Sequence, residues 1–225
     1  MNVNSDLGEG AGHDDEILPF IDSASVCCGV HAGSVSESIR IARRCAELGV
    51  QVGAHPSFDD RENYGRLEVE LAADDLEALV LFQVAALAAV APVGYLKAHG
   101  ALYHYCQSRP EAAQRLARVA AEFGIGVMGQ PGYAILAACE KLGVRGYREA
   151  FADRAYLPDG RLAPRSQAGS VLDPDHAAEQ ALRLIRSGEY DTICLHGDSP
   201  GAPATARRIR EALKESGIQT APLGS

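Results

Sequence analysis

Long apolar runs are absent from the 225-residue sequence, which nowhere joins the roughly eighteen apolar residues that a membrane-spanning helix needs. The amino-terminal stretch MNVNSDLGEG also lacks a charged segment followed by an apolar one, the pattern of a secretory signal. We therefore expect a cytoplasmic protein that is neither exported nor inserted into a membrane.

Runs of lysine and arginine are missing as well. The chain has 21 Lys and Arg against 30 Asp and Glu, a formal net charge of −9. Because no basic stripe is available to a polyanion, nucleic acid and anionic membranes are not expected as partners. A small acidic substrate remains compatible with this charge, since a few cations in a cleft can outweigh the field of the whole protein.

The six cysteines show no Cys-x-x-Cys spacing, and four of them lie in apolar runs. We expect reduced thiols in the core and assign none of them a catalytic role.

A nucleotide-binding loop is not recognisable. Residues 8–12, Gly-Glu-Gly-Ala-Gly, do not match Gly-x-Gly-x-x-Gly, and no Gly-Lys-Ser/Thr follows. Acidic residues 14–16 would also repel a phosphate from the next helix. We expect a flexible substrate loop here. The turn at residues 196–201 precedes a predicted helix, and it is either an anion site or a plain helix start.

What the sequence does contain is a regular alternation of short apolar runs and longer amphipathic stretches, several closed by glycine. Such alternation predicts a parallel sheet, either closed as a barrel or open and doubly wound, and seven strands favour the barrel. No linker divides the chain. We therefore predict one α/β domain over residues 1–225, a distorted, TIM-like (β/α)7 barrel, with strands at Val3–Ser5, Ser25–Cys28, Val50–Ala54, Tyr95–Lys97, Gly126–Met128, Val144–Tyr147 and Thr192–Leu195.

Polar residues follow every predicted strand. The carboxyl ends of parallel strands open on one face, so these residues are expected to converge although they are distant in sequence. The candidates are Asn4, Asp6, Glu9, His31, His55, Lys97, His99, Gln130, Arg148, Glu149, Asp153, Arg154, His196 and Asp198. The two longest loops, residues 56–71 and 149–172, also follow strands and are expected to act as lids.

Four of the seven histidines lie at these strand ends, which indicates a functional cluster. The other three, at positions 13, 104 and 176, fall on surface-like helical patterns. If a metal is bound, Asp6, His31 and His55 are the expected ligands, but their spacing matches no recognised local motif and no metal is assigned. Without metal, the cluster can supply acid and base groups.

Nine segments of the chain, in order, resemble the LamB/YcsF family, whose members act as A subunits of bacterial ATP-dependent 5-oxoprolinase. The matching pieces are NSDLGEG (4–10), DEILP (15–19), SASVCCGVHAG (23–33), GAHP (53–56), YGR (64–66), LKAHGALY (96–103), EAFADRAY (149–156), PRSQAG (164–169) and HGD (196–198). The sequence departs from the family pattern in a shorter loop after Gly10, in Ser34 and in Ala98.

The resemblance implies a seven-stranded barrel like that of sugar deacetylases and the ATP-coupled hydrolysis of 5-oxoproline to glutamate. It also implies partner subunits B and C, with ATP as co-substrate and Mg²⁺ as the divalent metal that accompanies it. The functional residues that carry over individually are Asp6, Glu9, His31, His55, Lys97, His99, Glu149, Arg154, Arg165, His196 and Asp198.

The residues themselves suggest a division of roles. Asp6 or a histidine of the cluster would be the base, Lys97 and His99 would stabilise a negative oxygen, and Arg148 would bind a substrate carboxylate. We expect catalysis from Asp6, His31, His55, Lys97, His99 and His196, and substrate binding from Glu9, Arg148, Glu149, Arg154 and Asp198. Two alternatives stay open: a metal-dependent deacetylase or amidohydrolase acting alone, and a substrate-binding subunit without chemistry.

Overall fold

The computed structural model describes residues 1–224, and its centre is a closed barrel of seven parallel strands in chain order. The TIM-like fold class predicted from the sequence is therefore confirmed. The strands are β1 (Asn2–Leu7), β2 (Ser23–Cys27), β3 (Gln51–His55), β4 (Val93–Leu96), β5 (Gly126–Gly129), β6 (Gly146–Phe151) and β7 (Thr192–His196). Closure is made by β1 and β7, which pair from Asn2 opposite Thr192 to Asp6 opposite His196.

Helices surround the barrel and join successive strands. They are α1 (Asp14–Ile17), α2 (Val35–Leu48), α3 (Ala73–Ala88), α4 (Gly100–Ser108), α5 (Pro110–Phe123), α6 (Ala134–Leu142), α7 (Pro174–Ser187) and α8 (Ala202–Glu215), with short 3-10 turns at Leu18–Phe20 and Arg61–Asn63. Among residues 1–224, no helix is long and apolar enough to cross a membrane.

Helix α2 shows why these segments fold as they do. The Ser34 hydroxyl accepts a hydrogen bond from the backbone N–H of Glu37 at 3.1 Å and caps the helix start. Ile41 and Cys45, one helical turn apart, are buried against the barrel. The helix ends at Gly49, whose φ of 70° favours a residue without a Cβ.

The interior of the barrel is filled at its amino-terminal end. Tyr95, Met128 and Tyr147 form a buried cluster there, and Leu223 packs against it. Neighbouring glycines make room for the rings: a Cβ at Gly53 would lie 2.1 Å from Tyr95. This filling leaves the carboxyl-terminal end as the open end of the barrel.

Five of the six cysteines are buried and all are free thiols, as expected for core residues. Burial raises the pKa of Cys27, Cys45 and Cys106 to about 12, so these thiols are protonated at neutral pH.

Candidate active site

A cavity of about 300 Å³ opens where the strands end. The side chains that shape it are Asp6, Glu9, His55, Arg66, Lys97, His99, Tyr103, His104, Phe151, Arg154, Arg165, His196 and Asp198. Most of the predicted site residues are therefore brought together, as the direction of the parallel strands requires.

Lys97 occupies the floor of this cavity, directly after β4, and it is almost completely buried. Its Nζ lies 2.8 Å from Asp6 Oδ1 and 2.9 Å from Glu149 Oε1. Burial by itself lowers the pKa of the lysine, but the facing carboxylates hold it well above its ordinary value. The ammonium therefore stays charged in a water-poor environment, where it stabilises a negative oxygen strongly.

The two carboxylates beside Lys97 differ in character. Burial raises the pKa of Asp6, but His55 and Lys97 outweigh it and the pKa falls well below its usual range. At Glu149 the effect of burial is the larger one, so the pKa is raised although Lys97 opposes the change. Tyr103 donates a hydrogen bond to Glu149 Oε2 at 3.1 Å. Asp6 is thus a fixed anion, and Glu149 is the carboxyl that takes up a proton more readily.

Three histidines surround the Glu9 carboxylate. Glu9 Oε1 lies 2.9 Å from His99 Nδ1, 3.2 Å from His31 Nε2 and 3.7 Å from His55 Nε2. Burial raises the pKa of Glu9, but the hydrogen bond from His31 and the neighbouring His99 and His55 rings bring it well below the ordinary value. Glu9 is therefore an ionised group at the centre of the histidine cluster.

The loop after β3 holds this cluster in place. Tyr64 has a φ of 56°, and its carbonyl oxygen lies 3.0 Å from His99 Nε2. Gly65 packs directly on the histidines, since a Cβ there would lie 2.2 Å from Ser57 Oγ and 3.0 Å from His31 Cβ. The expectation that this loop covers the site agrees with its position.

The predicted metal set needs correction. His31 is fully buried, stacks on His99 with ring centroids 4.0 Å apart and does not line the cavity. Within residues 1–224, the group whose donor atoms all lie within 4.8 Å of one another is Glu9, His55 and His99. Asp6 Oδ1 pairs with Lys97 and its Oδ2 lies 3.6 Å from His55 Nε2, but His31 faces Glu9 from outside the cavity, so Asp6, His31 and His55 do not share one set of donor atoms.

Arginines form the rim of the cavity and connect the loops above it. Arg66 Nη2 lies 2.6 Å from Asp198 Oδ2, and Arg165 pairs with the same oxygen. Arg154 is buried, and its Nη2 donates to the Ala163 carbonyl at 2.6 Å. Asp198 pairs with two of these three guanidinium groups and Arg154 bonds to backbone carbonyls, so the rim is positive while the floor is rich in carboxylates.

His196 forms a pair with Asp153 at the side of the cavity. Its Nδ1 lies 3.0 Å from Asp153 Oδ1, and its ring stacks on Phe151 at 5.5 Å. Burial raises the pKa of Asp153, but His196 brings it below its ordinary value. An ionised Asp153 holds the hydrogen on Nδ1, so that Nε2 is left with its lone pair. This arrangement suits a general base.

Arg148 is not where the sequence led us to expect it. The predicted strand ends at Tyr147, but β6 continues to Phe151, so Arg148 lies within the strand and on its outer face. The side chain is exposed and pairs with Asp191 at 2.9 Å, outside the cavity. The proposal that it binds a substrate carboxylate from this position is wrong.

Several residues of the cavity have no role assigned from the sequence. Arg66 and Tyr103 lie within family-like segments, and His104 is expected on an ordinary surface. Asp153, a candidate by position, contacts His196 and does not itself line the cavity. Tyr103 and His104 are positioned by α4, a helix that the sequence pattern did not reveal. The position of Tyr103 four residues after His99, on one face of a helix, was the signal available.

Comparisons with known proteins find relatives along the whole chain. The model of the LamB/YcsF family matches residues 1–225. The chain is 41% identical, over 97% of its length and 98% of the relative, to the A subunit of 5-oxoprolinase from Thermus thermophilus.

Solved structures give the same result for the fold. The crystal structure of the lactam utilization protein from Thermus thermophilus superposes with a TM-score of 0.92 at 38% identity, covering 99% of both chains. A family 4 carbohydrate esterase from Streptomyces lividans has a TM-score of 0.59 at 13% identity, covering 98% of this chain and 90% of that one. The second likeness concerns the barrel fold alone.

Proposed function

This chain belongs to the LamB/YcsF family, and on that basis we propose that it is the A subunit of a 5-oxoprolinase that hydrolyses the lactam of 5-oxoproline to glutamate with ATP as co-substrate. Subunits B and C are the proposed partners, and the cytoplasm is the proposed location. Mg²⁺ would enter with ATP. No nucleotide-loop motif occurs in the sequence, so the proposal does not place the ATP site on this chain.

The observation that carries the proposal is the division of the cavity into a floor and a rim. 5-Oxoproline has an anionic carboxylate at one side of its ring and a lactam carbonyl at the other. Arg154 and Arg165 at the rim offer guanidinium groups, which suit a carboxylate. Bound that way, the substrate directs its lactam toward Lys97.

Chemistry explains why ATP is required. The lactam amide is stable and the ring recloses readily, so hydrolysis needs a coupled reaction. In the proposed sequence, the γ-phosphoryl group of ATP moves to the lactam oxygen and ADP leaves, and water then adds to the carbonyl carbon of the lactam. The ring C–N bond breaks and the nitrogen leaves as an amine. A second water converts the resulting acyl phosphate into the glutamate carboxylate and inorganic phosphate.

The site residues have proposed roles in these steps. His196, with its hydrogen fixed on Nδ1 by Asp153, accepts a proton from the attacking water. Asp6 is a poorer base because Lys97 stabilises its anion at 2.8 Å. Lys97 stabilises the negative charge that develops on oxygen, whereas both ring nitrogens of His99 face other protein groups. Glu149 holds Lys97 in position, because its Oε1 lies 2.9 Å from the Lys97 Nζ.

The test is reconstitution. The chain is mixed with its B and C partners, and glutamate released from 5-oxoproline is measured with and without ATP. ATP-dependent release is expected, and its loss in His196→Ala with an intact fold would support the assigned base. No product with well-folded partners would contradict the proposal, whereas release without ATP or partners would favour an amidohydrolase acting alone.

The same assay distinguishes the proposed enzyme subunit from a subunit that binds substrate but takes no part in catalysis. In the latter case His196→Ala would weaken binding of 5-oxoproline and leave turnover at saturating substrate unchanged.

A further inference from the structure

The donor atoms of Glu9, His55 and His99 form a small triangle at the edge of the cavity. Its sides are 2.9 Å from His99 Nδ1 to Glu9 Oε1, 3.1 Å from His99 Nδ1 to His55 Nε2, and 3.7 Å from His55 Nε2 to Glu9 Oε1. A tetrahedral zinc ion with bonds of about 2.0–2.1 Å separates its ligand atoms by roughly 3.3–3.4 Å. The triangle therefore has the size that one such cation requires.

Backbone carbonyls fix which nitrogens of the two histidines carry hydrogen. His55 Nδ1 lies 2.7 Å from the Lys97 carbonyl oxygen, and His99 Nε2 lies 3.0 Å from that of Tyr64. A carbonyl oxygen only accepts, so each facing nitrogen is the N–H donor. In the neutral rings, His55 Nε2 and His99 Nδ1 then carry lone pairs, and both point into the triangle.

Two lone pairs and a carboxylate oxygen that face one another at these distances repel unless a metal ion or a shared proton lies between them. Metal-binding histidines characteristically donate their second N–H to a carbonyl or carboxylate, as both rings do here. The cluster is thus arranged as a set of ligands with their supporting hydrogen bonds.

The charge of the surrounding floor favours a divalent ion. Three carboxylates, those of Asp6, Glu9 and Glu149, lie in or beside the cluster, and one ammonium, that of Lys97, faces two of them. When all are ionised, a charge of −2 remains in a largely buried region. A buried excess of this size is costly unless a counter-charge is present.

We propose that Glu9, His55 and His99 bind one divalent cation of the zinc type, with a coordination position open to the cavity. Two imidazoles and one carboxylate suit such an ion, and all three residues line the cavity. His31 is a positioning residue, because its Nε2 orients Glu9 from behind at 3.2 Å. When bound, the ion supplies a Lewis acid beside Lys97.

The test uses the full chain, stripped of metal with a chelator and titrated with Zn²⁺ against a chromophoric competitor. One equivalent is expected, together with a rise in Tm. Co²⁺ in its place should give the visible absorption of a tetrahedral nitrogen and oxygen site. Glu9→Gln, His55→Ala and His99→Ala should each weaken Zn²⁺ binding by more than about 100-fold, while His31→Ala should cost about 10- to 100-fold.

His104→Ala is the matched control, since it removes a cavity histidine that lies outside the cluster. It should leave Zn²⁺ affinity unchanged. Circular dichroism of each variant separates loss of ligands from loss of fold, and the stoichiometry of the unmodified chain decides the matter without variants. If the chain binds no stoichiometric ion, the metal site is overturned, and a proton shared between His99 and Glu9 joins these two side chains instead.

A bound ion that survives His99→Ala and is lost in Asp6→Asn would also overturn this ligand set. The site does not rest on the proposed reaction, and the two can fail separately. Zinc binding without glutamate release would contradict the reaction and leave the site standing. If the protein releases glutamate in an ATP-dependent manner but contains no stoichiometric metal and has no affinity for Zn²⁺, the site is contradicted and the reaction is left standing.

Discussion

The two ends of the barrel interior are built by the same strands but have opposite character. Tyr95 and Lys97 are two residues apart at β4, and Tyr147 and Glu149 are two residues apart on β6. Residues at this spacing point to the same side of a strand, here the inside of the barrel. Two residues further along each strand, the barrel interior therefore changes from aromatic to charged.

The difference shows which end stabilises the molecule and which end is held at a cost in stability. The aromatic end buries rings against glycines and encloses almost no charge. The charged end keeps a lysine, carboxylates and histidines away from water, which is unfavourable unless each is paired. We expect substitutions at the charged end to affect turnover, and those at the aromatic end to affect the free energy of unfolding.

The largest effect is expected for Lys97→Met. Removing the ammonium should lower kcat by about 10²- to 10³-fold, because a charge that stabilises the developing oxyanion is lost. It should also reduce the free energy of unfolding by about 3–5 kcal/mol, since Asp6 and Glu149 lose their cation in a buried place. Turnover in the reconstituted enzyme and urea unfolding measure the two effects.

The double variant Lys97→Met with Glu149→Gln separates the effect on turnover from the effect on stability. It should recover much of the stability, because one uncompensated carboxylate is gone, and none of the turnover. Recovery of turnover as well would mean that Lys97 serves the fold alone.

Tyr95→Ala should give the opposite pattern. Truncating this fully buried ring leaves a cavity at the plugged end and should cost about 3–5 kcal/mol of unfolding free energy. Turnover per folded molecule should be retained at low temperature. Tyr95→Phe is the control, because it removes only the hydroxyl contact with Ser25 at 3.2 Å, worth about 1 kcal/mol. Loss of turnover in folded Tyr95→Ala would show that the two ends are coupled.

Two partly exposed arginines, Arg165 and Arg148, test the same difference between the site and the rest of the molecule. Arg165 and Arg148 each pair with one aspartate and are each partly exposed, but only Arg165 lies at the cavity. Arg165→Ala should raise KM for 5-oxoproline roughly 10- to 100-fold, since a charge-assisted hydrogen bond to the carboxylate is worth about 1.5–3 kcal/mol. Arg148→Ala should leave KM unchanged. Equal effects on KM would remove Arg165 from substrate binding.

The sequence predicted the barrel and the face of the site because both follow from local pattern and strand direction. It misplaced β6, since Arg148 and Glu149 read as the start of a loop after the apolar run that ends at Tyr147. Glu149 is accommodated inside the strand because Lys97, 52 positions earlier in the chain, faces it at 2.9 Å. A pair so distant in sequence leaves no local signal.

The different positions of His31 and His99 could not be predicted for a related reason. His31 and His99 both follow strands and both precede turns, so pattern alone treats them equally. What distinguishes them is the Tyr64 carbonyl, which the loop after β3 brings to 3.0 Å from His99 Nε2. The sequence predicts that a loop is present there, but the direction of one carbonyl group depends on how that loop packs.

The smallest effect is expected from the Arg148 and Asp191 pair, and it depends on pH. Partial burial raises the pKa of Asp191, but Arg148 outweighs it and holds the pKa below its ordinary value. A lowered pKa means that the pair stabilises the fold above the unfolded-state pKa, about 3.9, and loses this contribution as pH falls through the lower, folded-state pKa. Arg148→Ala should therefore cost less than about 1 kcal/mol at neutral pH, because the arginine is exposed. The difference in unfolding free energy from the unmodified chain should shrink below about pH 4 and vanish in stronger acid, as urea titrations at several pH values would show. A difference that persists in acid would mean that Arg148 stabilises the outer face of β6 by packing rather than by charge.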